Sequence, residues 1–220
     1  MSHFYDIKGD DFTNCEKQIH ILNNFLETLP KAPVSLSCTD SVILLDNGKV
    51  NFDMIRPGIG LVGGAPNAAN PISSEAKHTL EIYAKISQIK SIPKGQPVGY
   101  GGSYTTKKDT TMALVHIGYK DGYLRSLSEL DNNPQGVFMV IEGYQAPIIG
   151  KISLDATTVD VTDIPQEILQ KARYAEVVGP NVDIKVIADI AGCYEVMVAL
   201  GRDNSKSNDF TLHEFNQRFT

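Results

Sequence analysis

No stretch of the 220 residues approaches the ~20 consecutive apolar residues that span a bilayer, so no membrane-crossing helix and no membrane partner are expected. Runs of Lys or Arg are missing too, and the formal net charge is −6. A nucleic-acid backbone is held by clustered cations that release counterions, so nucleic acid is excluded as an expected ligand. Cysteine is scarce: Cys15, Cys38 and Cys193 lie far apart with no CxxC pair, which supports neither a disulfide framework nor a zinc site. The start, MSHFYDIKGDD, lacks the basic and apolar regions of a signal peptide, and the expected location is the cytoplasm. Internal repeats and low-complexity tracts are absent. What is present, 42% apolar and 21% charged residues, is the composition of a globular chain, and the length suits one or two domains of ~100–200 residues.

The character of the chain changes near residue 75. In the first part, Thr13 followed by Glu16 reads as a capping box, in which each side chain satisfies a free amide of a helix start. Ile19, Leu22, Leu26 and Leu29 then recur at helical spacing until Pro30. Short apolar runs at Val42 to Leu45 and Ile59 to Val62, each beside turn residues, read as strands. Helix alternating with short apolar strands is the rhythm of an α/β fold with buried parallel strands. The Gly-, Pro- and Asn-rich segment 63–71 reads as a linker. Beyond it the apolar period becomes two, at Leu80, Ile82, Ala84 and Ile86, at Met112, Leu114 and His116, and at Val159 and Val161. Breakers between these runs predict a mostly antiparallel β domain, with a short helix opening at Ile184.

Several short motifs invite a chemical reading and are weak one by one. Gly58 to Gly63 satisfies G-x-G-x-x-G, but Gly64-Ala65-Pro66-Asn67 replaces the helix a dinucleotide site requires. A glycine-rich segment with free amides remains there, preceded by Arg56, and that pairing suits an anionic group. Tyr100 stands among glycines that deny it cover, Tyr119 and Tyr123 flank a Lys-Asp-Gly turn, and Asp155 follows Gly150-Lys151-Ile152-Ser153-Leu154. A half-exposed ring beside a bulge, an ordinary turn and a carboxylate binding turn amides would explain these features equally well.

Their order is more informative. Through FDMIRPGIGL (52–61), VGYGGSY (98–104), HIGYKDGYLRSLS (116–128), APIIGKISLD (146–155), TVDVTDI (158–164) and Gly192-Cys193-Tyr194-Glu195-Val196, the sequence resembles alanine racemase, the fold-type III pyridoxal-phosphate enzyme that interconverts L- and D-alanine. The resemblance implies an α/β plus β architecture: residues 1–75 as the C-terminal remnant of a (β/α)8 barrel, and residues 76–220 as a mostly antiparallel β domain. It implies pyridoxal 5'-phosphate as cofactor, alanine as small-molecule substrate, and a homodimer in which the β domain closes the partner's barrel. Tyr100 matches the base on the L-alanine side, His3 the histidine that hydrogen-bonds it, and Arg56 the donor to the pyridine nitrogen. An arginine there keeps that nitrogen unprotonated and limits the electron sink, which suits a racemase. Ser41, Gly58, Ile59 and Tyr194 match the phosphate contacts. Tyr119 lines the mouth of the site, Leu154 holds the substrate carboxylate through its backbone, and Asp155 belongs to the same substrate-binding block.

The sequence departs from the family pattern at several positions. Leu154 replaces a methionine, Asp40 replaces the asparagine before the phosphate-binding serine, Val62 replaces a tyrosine, and nothing is carried over beyond Ala199. The largest departure is the Schiff-base lysine block of the first barrel strand, which has no counterpart here, and Lys31, Lys94 and Lys120 stand in unrelated contexts. The expectation is a truncated, C-terminal portion of a racemase that is inactive without a complementing N-terminal half. The alternatives are a non-catalytic dimerisation and cofactor-binding fragment, or a decayed gene product.

Overall fold

A computed structural model describes residues 1–5, 7, 12–45, 50–64, 79–128, 137–193 and 195–200. The chain forms two compact units, Met1–Thr79 and Leu80–Thr220. In the first unit, helix α1 (Thr13–Leu26) lays Cys15, Ile19 and Leu22 against Phe4, Leu36 and Val50. Strands β1 (Ser35–Cys38) and β2 (Met54–Arg56) pair in parallel, Ser35 opposite Met54 and Cys38 opposite Arg56, with helix α2 (Thr39–Leu44) leaving β1 directly.

The parallel pairing matches the α/β expectation, but the residues that form it are different ones. The run Val42 to Leu45 belongs to α2 and its C-terminal cap, where the Leu45 amide donates to the Ser41 carbonyl at 3.0 Å. Ile59–Val62 closes as a tight 3-10 turn, with Leu61 donating to the Gly58 carbonyl. Four apolar residues are too few for periodicity to separate strand from helix, and the true strands are short and carry polar residues. Nor does Thr13 cap α1: Phe12 occupies the N-cap position and no side chain caps it.

The second unit is built on one six-stranded sheet. Its strands are β3 (Ile82–Ile92), β6 (Thr110–Val115), β7 (Phe138–Ile141), β8 (Tyr144–Pro147), β9 (Thr157–Asp160) and β10 (Tyr174–Val178), in the order β8-β7-β10-β3-β6-β9. Every pairing is antiparallel. The two end strands also meet: Ile148, just beyond β8, bridges Val159 of β9, and the Ile149 amide donates to the Thr158 carbonyl at 2.9 Å. The two ends of the sheet are thereby joined just beyond β8, and the sheet curls toward closure. Ala113, Val115, Met139, Ile141, Ala146, Ile148, Val159, Ala175 and Val177 are buried. The period-two expectation for 112–116 therefore selected the wrong face, because both faces of β6 are largely apolar and the buried residues are Ala113, Val115 and, just beyond the strand, Ile117.

Outside the sheet, β4 (Pro97–Val98) and β5 (Tyr104–Thr105) form a separate ribbon. Helices α3 (Gln166–Leu169), α4 (Ile184–Ala191) and α5 (Glu195–Leu200) follow the last turns. The Asp183 carboxylate caps α4 by accepting from the Lys185 amide at 2.8 Å, and Gly192 ends it in the left-handed conformation. No helix among the described residues is long and apolar enough to cross a membrane.

Because Ile148 is fully buried where the ends of the sheet join, Ile148→Ala is expected to cost about 2–5 kcal/mol in urea unfolding. Ile21→Ala, on an exposed face of α1, is expected to change stability by less than about 0.5 kcal/mol.

Candidate functional site

In the first unit the chemistry gathers around Arg56 at the end of β2. Its guanidinium donates to the Ser35 hydroxyl, to the Ser2 carbonyl at 2.8 Å, to the Leu36 carbonyl at 3.3 Å, and meets His3 Nδ1 at 3.1 Å. An arginine can only donate, so Nδ1 of His3 is the accepting nitrogen and its ring proton sits on Nε2. Both terminal nitrogens of Arg56 are engaged, while Nε takes no acceptor among the described residues. Of the predicted site residues, His3 and Arg56 are thus joined directly.

Next to β2, the Thr39 hydroxyl accepts from the Gly58 amide at 3.0 Å and from the Gly60 amide at 3.2 Å, which fixes the 58–63 turn onto the start of α2. A side chain at Gly60 would press on the Thr39 methyl at 3.0 Å, whereas one at Gly58 would meet nothing within 4 Å. Ile59 opens the turn, so its amide has no partner within it. Ser41 is fully buried, and its hydroxyl accepts from the Cys38 amide at 2.8 Å and donates to the Cys38 carbonyl at 3.0 Å. Sequence reasoning passed over Thr39, because the run after it was read as a strand and not as the helix that Thr39 opens. Asp40, between Thr39 and Ser41, is half-buried; loss of water pushes its carboxyl above the usual range, against the opposing pull of its own backbone amide.

In the second unit the residues 150–155 form a wall against which two loops rest. Gly99, left-handed at φ 76°, brings the Tyr100 loop so close that a Cβ would stand 2.7 Å from the Lys151 nitrogen. The Ser103 hydroxyl accepts from that same Lys151 amide at 3.1 Å. Tyr100 itself is 64% exposed. At the other end of the wall, a Cβ on Gly118 would lie 2.4 Å from the Leu154 carbonyl oxygen. That contact lets the Tyr119 amide donate to the Ser153 carbonyl and the Lys120 amide to the Leu154 carbonyl, both at 3.0 Å. Leu154 and Asp155 are exposed, and the Leu154 amide has no acceptor among the described residues.

The two tyrosines of the Lys-Asp-Gly turn part company. Tyr123 is fully buried, its hydroxyl lacks a partner among the described residues, and burial pushes its pKa well up. Tyr119 faces outward beneath the Arg125 guanidinium, 4.6 Å from ring centre to cation, while Arg125 Nε donates to the Ile152 carbonyl at 3.3 Å. Arg125, Ser103 and the buried Asp121, whose carboxylate accepts from the Gly118 amide at 3.0 Å, were not singled out from sequence. The loops that carry Tyr100 and Tyr119 both rest on the segment that carries Leu154 and Asp155. Tyr194 lies outside the described residues.

A parallel βα unit with a fixed arginine–histidine pair, followed in sequence by an antiparallel β unit that exposes a tyrosine loop, defines an α/β-plus-β class of chain. The chain belongs to the alanine racemase family. The family model described as "Alanine racemase, C-terminal domain" matches residues 79–207, and the one described as "Alanine racemase, N-terminal domain" matches residues 1–66. The expectation of a C-terminal portion alone is thereby refined, since the first residues carry N-terminal-domain sequence. The biosynthetic alanine racemase of Agrobacterium fabrum is 35% identical over 76% of this chain and 44% of its own length, and the catabolic enzyme of the same organism 31% identical over 94% and 51%. Among solved structures, the Bartonella henselae alanine racemase with covalently bound pyridoxal phosphate superposes with a TM-score of 0.71 at 28% identity, over 90% of this chain and 53% of that one. The chain spans about half the length of the curated relatives it matches.

Gly118→Ala is expected to force the turn off the 153–154 backbone, lowering stability by about 1–3 kcal/mol. Hydrogen exchange at the Tyr119 and Lys120 amides should accelerate together, whereas unchanged protection at both would contradict the contact.

Proposed function

We propose that residues 1–220 supply the cofactor-holding late barrel strands and the L-alanine-side base of an alanine racemase, with the Schiff-base lysine contributed by a segment outside these residues. In this reading residues 1–75 are barrel and residues 76–220 the β domain. The observation that carries it is the Arg56–His3 pair, whose geometry leaves Arg56 Nε and His3 Nε2 without a partner among the described residues. The donors suit a phosphorylated pyridine: Arg56 keeps Nε for a ring nitrogen, and Gly58 and the Ile59 amide leave open space and a free N–H for a phosphate. When bound, pyridoxal 5'-phosphate supplies the electron sink that acidifies the α-proton of alanine.

The chain's own groups then have defined tasks. Arg56, always protonated and never a proton donor at neutral pH, faces the ring nitrogen without protonating it. His3 has the task of donating its Nε2–H to the Tyr100 hydroxyl of a partner subunit in the assembled dimer. Tyr100 Oη takes and returns the α-proton on the L side, its exposure being that of a group covered only in the assembled dimer. The free Leu154 amide receives the substrate carboxylate, with Asp155 beside it and Tyr119 at the mouth. Gly58, Ile59, Ser41 and Tyr194 attend the phosphate, Ser41 by turning its hydroxyl away from Cys38. The product, D-alanine, fits a cytoplasmic supply for the cell wall.

Residues 1–220 with pyridoxal phosphate are expected to leave alanine unracemised, because one of two bases and the covalent anchor lie elsewhere. Supplying a lysine-bearing first barrel half from a relative should restore racemisation, and Tyr100→Phe should lower the restored rate by roughly 10²–10⁴-fold. Racemisation by residues 1–220 alone, or none from a heterocomplex seen by light scattering, would overturn the proposal.

A further inference from the structure

The Tyr100 loop is held to its support by very little. Gly99, Gly101 and Gly102 are all left-handed, at φ 76°, 72° and 59°, and glycine has the most backbone freedom to lose on ordering. The ribbon that carries the loop pairs Pro97 with Thr105 and Val98 with Tyr104, and so short a two-stranded ribbon is marginal by itself. At the two ends of the loop, Val98 and Tyr104 pack on Ile149. Between those ends the backbone crosses Gly150 and Lys151 at a contact too close for side chains. A Cβ on Gly99 would stand 2.7 Å from the Lys151 nitrogen, and one on Gly150 would stand 2.8 Å from the Val98 carbonyl oxygen. Among the described residues, one hydrogen bond joins residues 99–103 to the segment 150–155, from the Lys151 amide to the Ser103 hydroxyl at 3.1 Å. The bond from the Gly102 amide to the Gly99 carbonyl, also at 3.1 Å, is internal to the loop. The Tyr100 ring is exposed, so its place follows from the backbone that carries it.

We infer that Ser103 is the positioning residue of Tyr100: by accepting from the Lys151 amide, its hydroxyl fixes the tyrosine loop to the same segment that presents the Leu154 amide, and so sets the proton-transfer group against the group that holds the substrate carboxylate. This role rests on the tasks given to Tyr100 and Leu154 under Proposed function. Ser103 has ordinary right-handed backbone, φ −68° and ψ −8°, so threonine can replace it without strain, whereas alanine removes the acceptor and little else. It is half-buried, so without the hydroxyl the Lys151 amide is left to solvent while the apolar contacts of Val98, Tyr104 and Ile149 remain. The fold survives and the loop loses its tie. Proton transfer is sensitive to such a loss, since a misplacement of ~1 Å can cost about 10²-fold in rate. Mirror symmetry fixes the equilibrium between the two alanine enantiomers, so net racemisation slows equally in both directions. The asymmetry shows in exchange of the α-proton with solvent, where each base acts on one enantiomer.

The test is deuterium exchange at Cα of L- and D-alanine in heavy water, with the 220-residue chain assembled with a lysine-bearing first barrel half and carrying Ser103→Ala, Ser103→Thr or Tyr100→Phe. Ser103→Ala is expected to slow exchange from L-alanine by roughly 10- to 100-fold and to leave exchange from D-alanine within about twofold of the parent. Ser103→Thr, which keeps the hydroxyl, should return exchange from L-alanine to the parent rate. In the 220-residue chain alone, hydrogen exchange at the Lys151 amide should accelerate in Ser103→Ala and not in Ser103→Thr, with protection of the Tyr119 amide unchanged in both. Undiminished exchange from L-alanine in Ser103→Ala, equal loss from both enantiomers, or no rescue by Ser103→Thr would overturn the positioning role. If Tyr100→Phe still abolishes exchange from L-alanine in that case, the assignment of the base stands. If Tyr100→Phe leaves that exchange intact, or the assembled protein exchanges neither enantiomer, the assignment and the positioning role fall together.

Discussion

An arginine side chain has five N–H donors and no acceptor, and the first unit is arranged around that asymmetry at Arg56. One guanidinium draws in the Ser2 carbonyl, the Ser35 hydroxyl, the Leu36 carbonyl and a ring nitrogen of His3. The N-terminal segment, β1 and β2 are therefore tied at a single point. The same donor-only chemistry selects the His3 tautomer, and Nε of the arginine has no acceptor among the described residues. Replacing Arg56 by lysine would keep the charge and lose the fork, because an ammonium cannot hold these acceptors in one plane while presenting a separate N–H elsewhere.

The second unit uses backbone proximity where the first uses a hub of donors. The segment 150–155 can serve as a common wall only because glycine stands at Gly99 and Gly118, where a methyl group would meet backbone at 2.7 and 2.4 Å. Joining the ends of the sheet through Ile148 and Ile149 anchors the start of that wall in the core. Tyr100, Tyr119 and Leu154 are consequently exposed side chains on rigid supports.

The sequence made the class of each unit legible, and far less of its detail. Parallel pairing in the first unit and antiparallel pairing in the second follow from apolar period and breaker spacing. The strand assignments at 42–45 and 59–62 failed because the actual strands, Ser35–Cys38 and Met54–Arg56, owe their place to pairing and to the Arg56 contacts rather than to a local apolar pattern. The face of β6 was misread because Met112 and Leu114 are as apolar as Ala113 and Val115. Among site residues, Arg56 and His3 were recognisable as motif members, but their bond spans 53 positions of sequence and has no local signature. Thr39, Ser103 and Arg125 were missed for the same reason: hydroxyls and a cation at unremarkable positions acquire meaning only from the amides, carbonyl and ring that the fold brings to them.

The central claim is a division of labour, in which Tyr100 of this chain serves one face of the substrate and a lysine outside residues 1–220 serves the other. The most direct test is deuterium exchange at Cα of the two alanine enantiomers in heavy water, measured on the assembled enzyme carrying Tyr100→Phe. The account predicts that exchange from L-alanine collapses while exchange from D-alanine persists. Equal loss from both enantiomers, or undiminished exchange from L-alanine, would contradict it.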